Sequence, residues 1–319
     1  MIYTPSTKTL YVSVWSWYLS NEIIKLLCIL NPKRFIYDCT LEFEPKGGFQ
    51  KDCDFELLNT YVKSQSIEAH LLLGSLNSNT YIESKKPENF ASNFNVEFYP
   101  LTFLLRAHTN SIANQYNITP TKLFYCLMNK PHVHRCILAD SIIKHNLTVD
   151  GKFTWNILRK KINPYKFKYW KEKLIRDKNF NTVNSFALPE SLYFESLFDL
   201  VAESTHDAIF YTEKTYKPIL RGKPFIIFGS KGINLELIGL GFKIFNSVVD
   251  YSFDSIEDTE ERAEALCQEL KRLSTFNYQE LAIKMQDAVQ HNKKVALEYT
   301  VDGSKTPNSM LNNFVQTIR

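Results

Sequence analysis

The stretch that decides the fold is residues 194–245, FESLFDLVAESTHDAIFYTEKTYKPILRGKPFIIFGSKGINLELIGLGFKIF. Apolar runs alternate here with stretches whose capping residues and spacing predict helices. The predicted elements are a strand at 198–202, a helix from Thr212 to about Gly222, a strand at 224–228, a helix at 234–240 and a strand at 242–245. Strands and helices that alternate at these lengths are typical of a doubly wound α/β fold with a parallel sheet.

The same alternation extends toward the N-terminus. LFYCLM at 123–128 reads as another buried strand, and a helix carrying Arg135 follows it. The first 115 residues or so also alternate between strand-like and helix-like segments, and NQYNITP at 114–120 resembles a boundary between the halves. We therefore expect two α/β domains, residues 1–117 and 118–319. This agrees with the usual size of a domain, roughly 150 residues.

Composition excludes several classes of protein. The chain of 319 residues is 44% hydrophobic and 14% aromatic, which is enough for two cores and rules out wholesale disorder. The 38 basic and 34 acidic residues leave a net charge of only +4, which neither demands nor excludes a polyanionic partner. Six cysteines without a CxxC pair predict free thiols in a reducing compartment. With no signal-peptide pattern and no long apolar run, a cytoplasmic protein without membrane contact is expected.

The tripeptide Thr212-Glu213-Lys214 is the first candidate site. Thr212 suits an N-cap, which places Glu213 and Lys214 in the first helical turn. A lysine there opposes the helix dipole, and an anionic ligand such as a phosphate would explain it. Glu213 could then accept hydrogen bonds from a ribose diol. The alternative is an ordinary solvated helix start with a surface charge pair.

Polar residues at two strand ends extend this candidate site. Glu203 follows the strand at 198–202, and ligands of open α/β sheets bind beyond the carboxyl ends of the strands. Asn129 and Arg135 follow the strand at 123–128, together with His132 and His134. Such a set suits a nucleotide diphosphate. The two histidines could also be capped surface imidazoles, and the H-x-H-x-C run that they form with Cys136 lacks the second ligand pair of a zinc site.

Residues 198–224, FDLVAESTHDAIFYTEKTYKPILRGKP, resemble the donor-binding motif of α1,3-fucosyltransferase-type glycosyltransferases. In that family a strand ends in an acidic residue, and a loop leads to T-E-K, an aromatic-bearing helix and a small strand after a proline. The positions that match this pattern are Tyr216, Leu220, Gly222 and Pro224. The segment 126–150 resembles the preceding strand and arginine helix of the family.

The resemblance implies a GT-B fold, with two Rossmann-like domains facing a cleft and a nucleotide sugar held by the C-terminal domain. It implies that Glu213 contacts the ribose, Lys214 the diphosphate and Arg135 a phosphate, without a metal or other cofactor. Residues 229–232, GSKG, look closer to a branch found in phages and environmental sequences. Some members of that branch resemble glycosyltransferases associated with oxidised methylcytosine in DNA.

The acceptor side of such an enzyme needs a general base, normally a carboxylate or histidine. Candidates in the first domain include Asp38, Glu42 and His70, and spacing singles out none of them. A glycan acceptor would favour a pocket there with Trp15, Trp17 and Tyr18 stacking on sugar rings.

Ten basic residues and six aromatic residues interleave over 152–178. This composition suits a nucleic-acid backbone with stacked bases, and we expect Lys160, Lys161, Lys166 and Lys168 to contribute. The alternative is a solvated helix whose apolar stripe packs on the domain.

The sequence thus predicts a metal-independent glycosyltransferase that uses a nucleotide sugar. Its acceptor would be a hydroxymethylated base of double-stranded DNA or, alternatively, a glycan. A rival from another class is a non-catalytic nucleic-acid-binding protein.

Overall fold

The structure, a computed structural model, describes residues 2–13, 20–39, 53–76, 92–98, 119–128, 131–155, 165–169 and 194–298. The chain divides into two compact units, Met1–Phe103 and Leu104–Arg319. This division and the predicted boundary after residue 117 both fall within 99–118, outside the described residues, so the boundary stays a prediction.

The first unit is an α/β fold with a mainly parallel sheet. Its elements are β1 (Ile2–Thr4), β2 (Thr9–Ser13), α1 (Ser20–Leu30), β3 (Arg34–Cys39), α2 (Cys53–Ser64), β4 (Glu68–Leu73), β5 (Ser75–Leu76) and β6 (Phe94–Phe98). The sheet order is β1-β2-β3-β4-β6. β2, β3, β4 and β6 run parallel, and β1 is antiparallel to β2.

The core of this unit follows from two periodicities. Alternate residues of a strand share one face, which puts Leu10 and Val12 of β2 on the same side. Ile23 and Leu27, four residues apart on one face of α1, join the same buried cluster. The α/β expectation for the first half of the chain is therefore confirmed.

The second unit is built on a fully parallel sheet. Its elements are β7 (Lys122–Met128), α3 (Val133–Lys144), β8 (Gly151–Trp155), β9 (Ser196–Ala202), β10 (Ile209–Phe210), α4 (Glu213–Arg221), β11 (Phe225–Phe228), α5 (Ile233–Gly239), a 3₁₀ helix (Tyr251–Ser255), α6 (Thr259–Leu273) and α7 (Tyr278–Leu297). The sheet order is β11-β9-β7-β8. Every residue of β9 is buried, as expected for a central parallel strand.

The predicted limits of α4 are confirmed. Thr212 is the N-cap, and its side chain accepts a hydrogen bond from the Lys214 amide. Gly222 ends the helix in the left-handed region at φ 67°, where glycine carries no steric penalty. The helix predicted over 234–240 is also present, as α5, and Gly241 follows it at φ 87°.

The predicted strand at 242–245 is wrong. Phe242 and Phe245 are buried, but the Lys243 backbone pairs with a side chain rather than with a strand. Its amide donates to Oδ1 of Asn292 at 2.6 Å, and its carbonyl accepts from Nδ2 at 2.8 Å. An amide on α7 thus satisfies the peptide groups that a sheet would otherwise have paired.

The side-chain amide of Asn234 in α5 likewise pairs with backbone peptide groups, here those of β11. Its Oδ1 accepts from the amide of Ile227 at 2.9 Å, and its Nδ2 donates to the carbonyl of Ile227 at 2.8 Å. The buried carboxylate of Asp254 holds the Asn234 side chain through a further bond of 2.8 Å.

Residues 152–155 belong to β8, beside β7, so the helix alternative for the basic stretch is wrong over this part. No helix in the described part of the chain has the length and apolarity that crossing a bilayer requires.

Candidate functional site

The structure brings several predicted donor-site residues together at the carboxyl end of the second unit's sheet. Glu203 directly follows β9, Arg135 lies in the first turn of α3 after β7, and Thr212 begins α4. Asn129, the remaining residue predicted from the strand ends, lies outside the described residues.

Lys214 lies at the N-terminus of α4. Its ammonium contacts Oγ1 of Thr212 and Oγ of Ser204, both at 3.1 Å, and Oε1 of Glu213 at 2.9 Å. The side chains of Lys214 and Glu213 are 24% and 13% exposed. A cation and a carboxylate are therefore held side by side, partly open to solvent, at the positive end of a helix dipole.

Glu213 is ionised despite its partial burial. Burial raises the pKa of its carboxyl group, but the nearby charges of Lys214 and Lys217 outweigh burial, and the net shift is downward. A carboxylate in this state can accept hydrogen bonds from hydroxyl groups.

Glu203 is fully buried, and its carboxylate binds the start of α4. Oε1 accepts from the amide of Thr212 at 2.9 Å and from the hydroxyl of Thr215 at 2.6 Å. Oε2 accepts from the hydroxyl of Thr212 at 2.6 Å and from the amide of Ser204 at 3.1 Å. Because four donors occupy this carboxylate, Glu203 positions the cap of α4, and through it Lys214.

Arg135 is 2% exposed and fixes the end of β9. Its Nη2 donates to the carbonyls of Ala202 at 2.9 Å and Glu203 at 2.7 Å, and its Nε donates to the latter at 3.0 Å. The phosphate contact that the resemblance implies for Arg135 stays a prediction. In the structure, these guanidinium donors bind the backbone carbonyls of Ala202 and Glu203.

A cluster of imidazole rings lies beside Arg135. Nε2 of His134 lies 2.9 Å from the carbonyl of Glu203. The His134 ring centroid is 4.9 Å from that of His206 and 5.8 Å from that of His132. Sequence reasoning noted the H-x-H run but missed His206. The signal for it was its position three residues past Glu203, in the loop after β9.

Tyr216 is fully buried, and its ring centroid lies 6.3 Å from that of Tyr211. The structure thus places it in the core beneath α4, and the contact with the donor stays a prediction.

A group of buried charges beneath α4 was not predicted. Asp199 lies within β9, and Lys217 and Lys223 lie on α4 and just before β11. Burial raises the pKa of Asp199 and lowers that of Lys223, whose ammonium donates to Ser196 at 2.7 Å. Burial also lowers the pKa of Lys217 to about 8. The signal was one aspartate inside the apolar run SLFDLVA.

The acceptor-side candidates lie in the first unit. Asp38, near the end of β3, is 9% exposed and accepts from the hydroxyl of Tyr11. His70 is 4% exposed, and its Nε2 lies 3.1 Å from Oε1 of Glu68. Glu42, Trp15, Trp17 and Tyr18 lie outside the described residues.

Two of the predicted nucleic-acid-binding lysines are described. Lys166 and Lys168 are exposed, and the ammonium of Lys168 pairs with Glu260 at 2.6 Å. Lys160 and Lys161 lie outside the described residues.

In the described part of the chain, no three His, Cys, Asp or Glu side chains lie close enough together to bind a metal ion.

No family model matches the chain, and no curated protein sequence matches it. Among solved structures, it is similar to a putative UDP-N-acetylglucosamine 2-epimerase from Listeria monocytogenes, with a TM-score of 0.40 and 10% identity over 90% of this chain and 79% of that one. The spinosyn rhamnosyltransferase SpnG gives a TM-score of 0.39 and 10% identity over 89% and 76% of the two chains. The calicheamicin glycosyltransferase CalG4 gives 0.36 and 8% identity over 91% and 78%. Identities and TM-scores this low do not assign the chain to a family.

Proposed function

We propose that the protein is a glycosyltransferase of the GT-B type that takes its sugar from a nucleotide-sugar donor. The supporting observation is the start of α4, where Lys214 and Glu213 lie side by side at a helix N-terminus. The ammonium, at the positive end of the helix dipole, suits a diphosphate, and the carboxylate suits a ribose diol.

The proposed reaction moves the sugar between two oxygens. The bond from the anomeric carbon to the diphosphate breaks, and a bond to the acceptor hydroxyl oxygen forms as a base removes the hydroxyl proton. The diphosphate leaves with the bonding electrons, so negative charge develops on it. Lys214, held by Ser204 and Thr212 at the positive end of the α4 dipole, is preorganised to stabilise that charge.

The donor site is tested with Lys214→Ala. Thermal-shift titration with UDP-, GDP-, ADP- and CMP-sugars first identifies the nucleotide that stabilises the wild-type protein. Binding of that donor to the variant should weaken by about 1.5 to 3 kcal/mol, the range for a charge-assisted hydrogen bond.

Lys294→Ala is the matched control. Lys294 forms an ion pair with Glu298 near the end of α7, and its side chain is 78% exposed. Its removal should leave donor affinity unchanged. Equal donor affinity in Lys214→Ala and wild type would overturn the donor-site assignment.

No metal or other cofactor is part of this proposal. Because Lys214 and the positive end of the α4 dipole would stabilise the leaving diphosphate, transfer and donor hydrolysis should survive excess EDTA. A strict requirement for added magnesium or manganese would contradict the metal-independent mechanism.

For the acceptor, we propose a hydroxymethylated base in double-stranded DNA, with a glycan as the alternative. The basic residues of 152–178, among them the exposed Lys166 and Lys168, support the first choice. The base would have to leave the stack to present its hydroxyl group. Gel-shift titrations at two salt concentrations should show binding that falls steeply with salt.

Three outcomes separate the candidate functions. Absence of duplex binding at low salt would remove DNA as the acceptor and leave the glycosyltransferase assignment in place. Duplex binding without donor hydrolysis would favour the non-catalytic nucleic-acid-binding protein. Loss of duplex binding on charge reversal at Lys166 and Lys168, with donor hydrolysis retained, would place the DNA contact on this stretch.

A further inference from the structure

Among the residues that the structure describes, one ring nitrogen of His134, Nδ1, has no hydrogen-bond partner. Its Nε2 faces the carbonyl of Glu203 at 2.9 Å, and a carbonyl can only accept, so Nε2 carries the proton. Burial, with the nearby Arg135 charge, lowers the pKa of His134 well below its usual value, so the ring is neutral at physiological pH. Nδ1 is therefore a bare acceptor, and it is buried and unpaired.

An acceptor in this state is costly. A buried polar atom that loses its water without gaining a partner destabilises the fold by about 1 to 3 kcal/mol. Orphaned buried groups of this kind call for an explanation, and binding of a ligand that supplies the missing donor is one.

The neighbours of His134 connect it to the proposed donor site. The carbonyl that Nε2 contacts belongs to Glu203, whose carboxylate holds the cap of α4. The next residue, Ser204, contacts the Lys214 ammonium at 3.1 Å. His206, two residues further along, covers the His134 ring at 4.9 Å and is 32% exposed. His132, which is also exposed, lies against the same ring at 5.8 Å.

We propose that Nδ1 of His134 accepts a hydrogen bond from a hydroxyl group of the nucleotide sugar, with His206 as the side chain that gives way. The inference rests on the proposed function and specifies part of its site. An ionised phosphate oxygen carries no hydrogen, so it cannot be the partner of a lone-pair acceptor. The hydroxyl groups of the ribose and of the transferred sugar can donate, and the proposal assigns His134 to one of them.

Two substitutions separate the two nitrogens. In His134→Gln, the side-chain amide reaches the position of Nε2, so the bond to Glu203 can persist while the Nδ1 acceptor is lost. In His134→Asn, the amide oxygen can occupy the position of Nδ1 while the Nε2 donor is lost. We expect His134→Gln to melt near the wild-type temperature and His134→Asn to melt lower.

The probes are UDP-glucose, UDP and 2′-deoxyUDP, and in parallel GDP-mannose, GDP and 2′-deoxyGDP. His134→Gln should bind the probe carrying the recognised hydroxyl group at least about 10-fold more weakly, because a buried acceptor is lost. His134→Asn should retain more of that affinity. A loss confined to the nucleotide sugars identifies a hydroxyl group of the transferred sugar. A loss for UDP or GDP that is absent for the 2′-deoxy probes identifies the ribose.

Nitrogen NMR of the wild-type protein gives a second readout that no folding defect can affect. The Nδ1 resonance of His134 should have the shift of an unprotonated nitrogen and should move upfield when the nucleotide sugar binds. A His134→Gln protein that binds every probe as wild type does, or an Nδ1 resonance unmoved by a bound probe, overturns the inference.

Failure of the proposed function has a different signature. If Lys214→Ala weakens probe binding and His134→Gln does not, the donor site stands and only the His134 inference fails. If Lys214→Ala also has no effect, or if none of the UDP-, GDP-, ADP- and CMP-sugars binds the wild-type protein, the proposed function fails and the His134 inference fails with it.

Discussion

Lys217 is a buried lysine, and its charged ammonium group loses solvation when the protein folds. It is 5% exposed on α4, facing Glu213, Asp199, Lys214 and Arg221, and burial lowers its pKa from 10.5 to about 8. Between about pH 8 and 10.5, the unfolded chain binds a proton that the folded chain has released. The free energy of unfolding should therefore rise with pH across this window, by on the order of 3 kcal/mol in full. Below about pH 8, the penalty for burying the charged form is fully present.

Urea unfolding at about pH 7.5, 9 and 10 measures this dependence. Lys217→Met removes the titrating ammonium but keeps a side chain of similar length. The free energy of unfolding of this variant should therefore rise less than that of the wild type between about pH 8 and 10.5. Parallel pH profiles for the two proteins would show that Lys217 is not the source.

At the scale of residues, the sequence predicts the ends of α4 better than its interior. Thr212, Glu213 and Lys214 form a local pattern in which a cap and first-turn charges follow one another, so one segment suffices to find them. Asp199 and His134 are different, because their roles depend on contacts with residues far along the chain. A single polar residue in an apolar run carries no information about which distant group it meets.

At the scale of elements, Gly151 leaves room for the ring of Phe124 on the neighbouring strand, a role that strand propensity does not predict. It begins β8 and lies opposite Phe124 of β7. A Cβ at this position would lie 2.3 Å from Cε1 and Cζ of that ring. Because Phe124 is fully buried and cannot retreat freely, Gly151→Ala should destabilise the protein by about 1 to 3 kcal/mol.

Gly239→Ala is the control for this prediction. A Cβ at Gly239, the last residue of α5, would meet nothing within 4 Å. Alanine in a helix is favoured over glycine by about 0.5 to 1 kcal/mol, so this variant should be neutral or slightly stabilised. Urea unfolding of both variants tests the pair, and equal stability would contradict the steric argument.

Most of the elements were predictable from the sequence, and the strand wrongly predicted at 242–245 has a physical cause. A buried strand such as β9 is recognised as a short, nearly continuous apolar run, and an amphipathic helix such as α4 by its 3.6-residue period. The run at 242–245 is as apolar as a buried strand. A strand forms, however, only where its peptide groups bond to the backbone of an adjacent strand. Here Asn292, from a helix about fifty residues later, supplies the pairing instead.

For the whole molecule, the proposal assigns nucleotide binding to the second unit. Hydrogen exchange with saturating nucleotide sugar should show protection at 203–215, where the amides of Ser204 and Thr212 already bond to Glu203. At a ligand concentration of 100 times Kd, stabilisation is about 2.7 kcal/mol, or roughly a 100-fold slower exchange for amides that open only in the free protein. Helix α2 in the first unit should exchange at an unchanged rate. Protection confined to the first unit would contradict the assignment.

The α/β class of both units was predictable because it depends on repeated local patterns. The partner of Asp38 was not predictable, since Tyr11 reaches it only when β2 and β3 come together. His70 contacts Glu68 on its own strand, and that local spacing does not indicate a role in catalysis. Spacing along the chain does not distinguish a catalytic carboxylate from one that is paired in the core.

The asparagine that contacts β11 has a further consequence. In the sheet order β11-β9-β7-β8, β11 is a terminal strand, and the peptide groups of Ile227 point away from β9. Unpaired peptide groups on such a strand are a template on which another chain can add a strand, which is a route to aggregation and domain swapping. The Asn234 amide, held by Asp254, offers Ile227 the same donor and acceptor that an incoming strand would bring. A single side chain thereby closes this position of the sheet to intermolecular pairing.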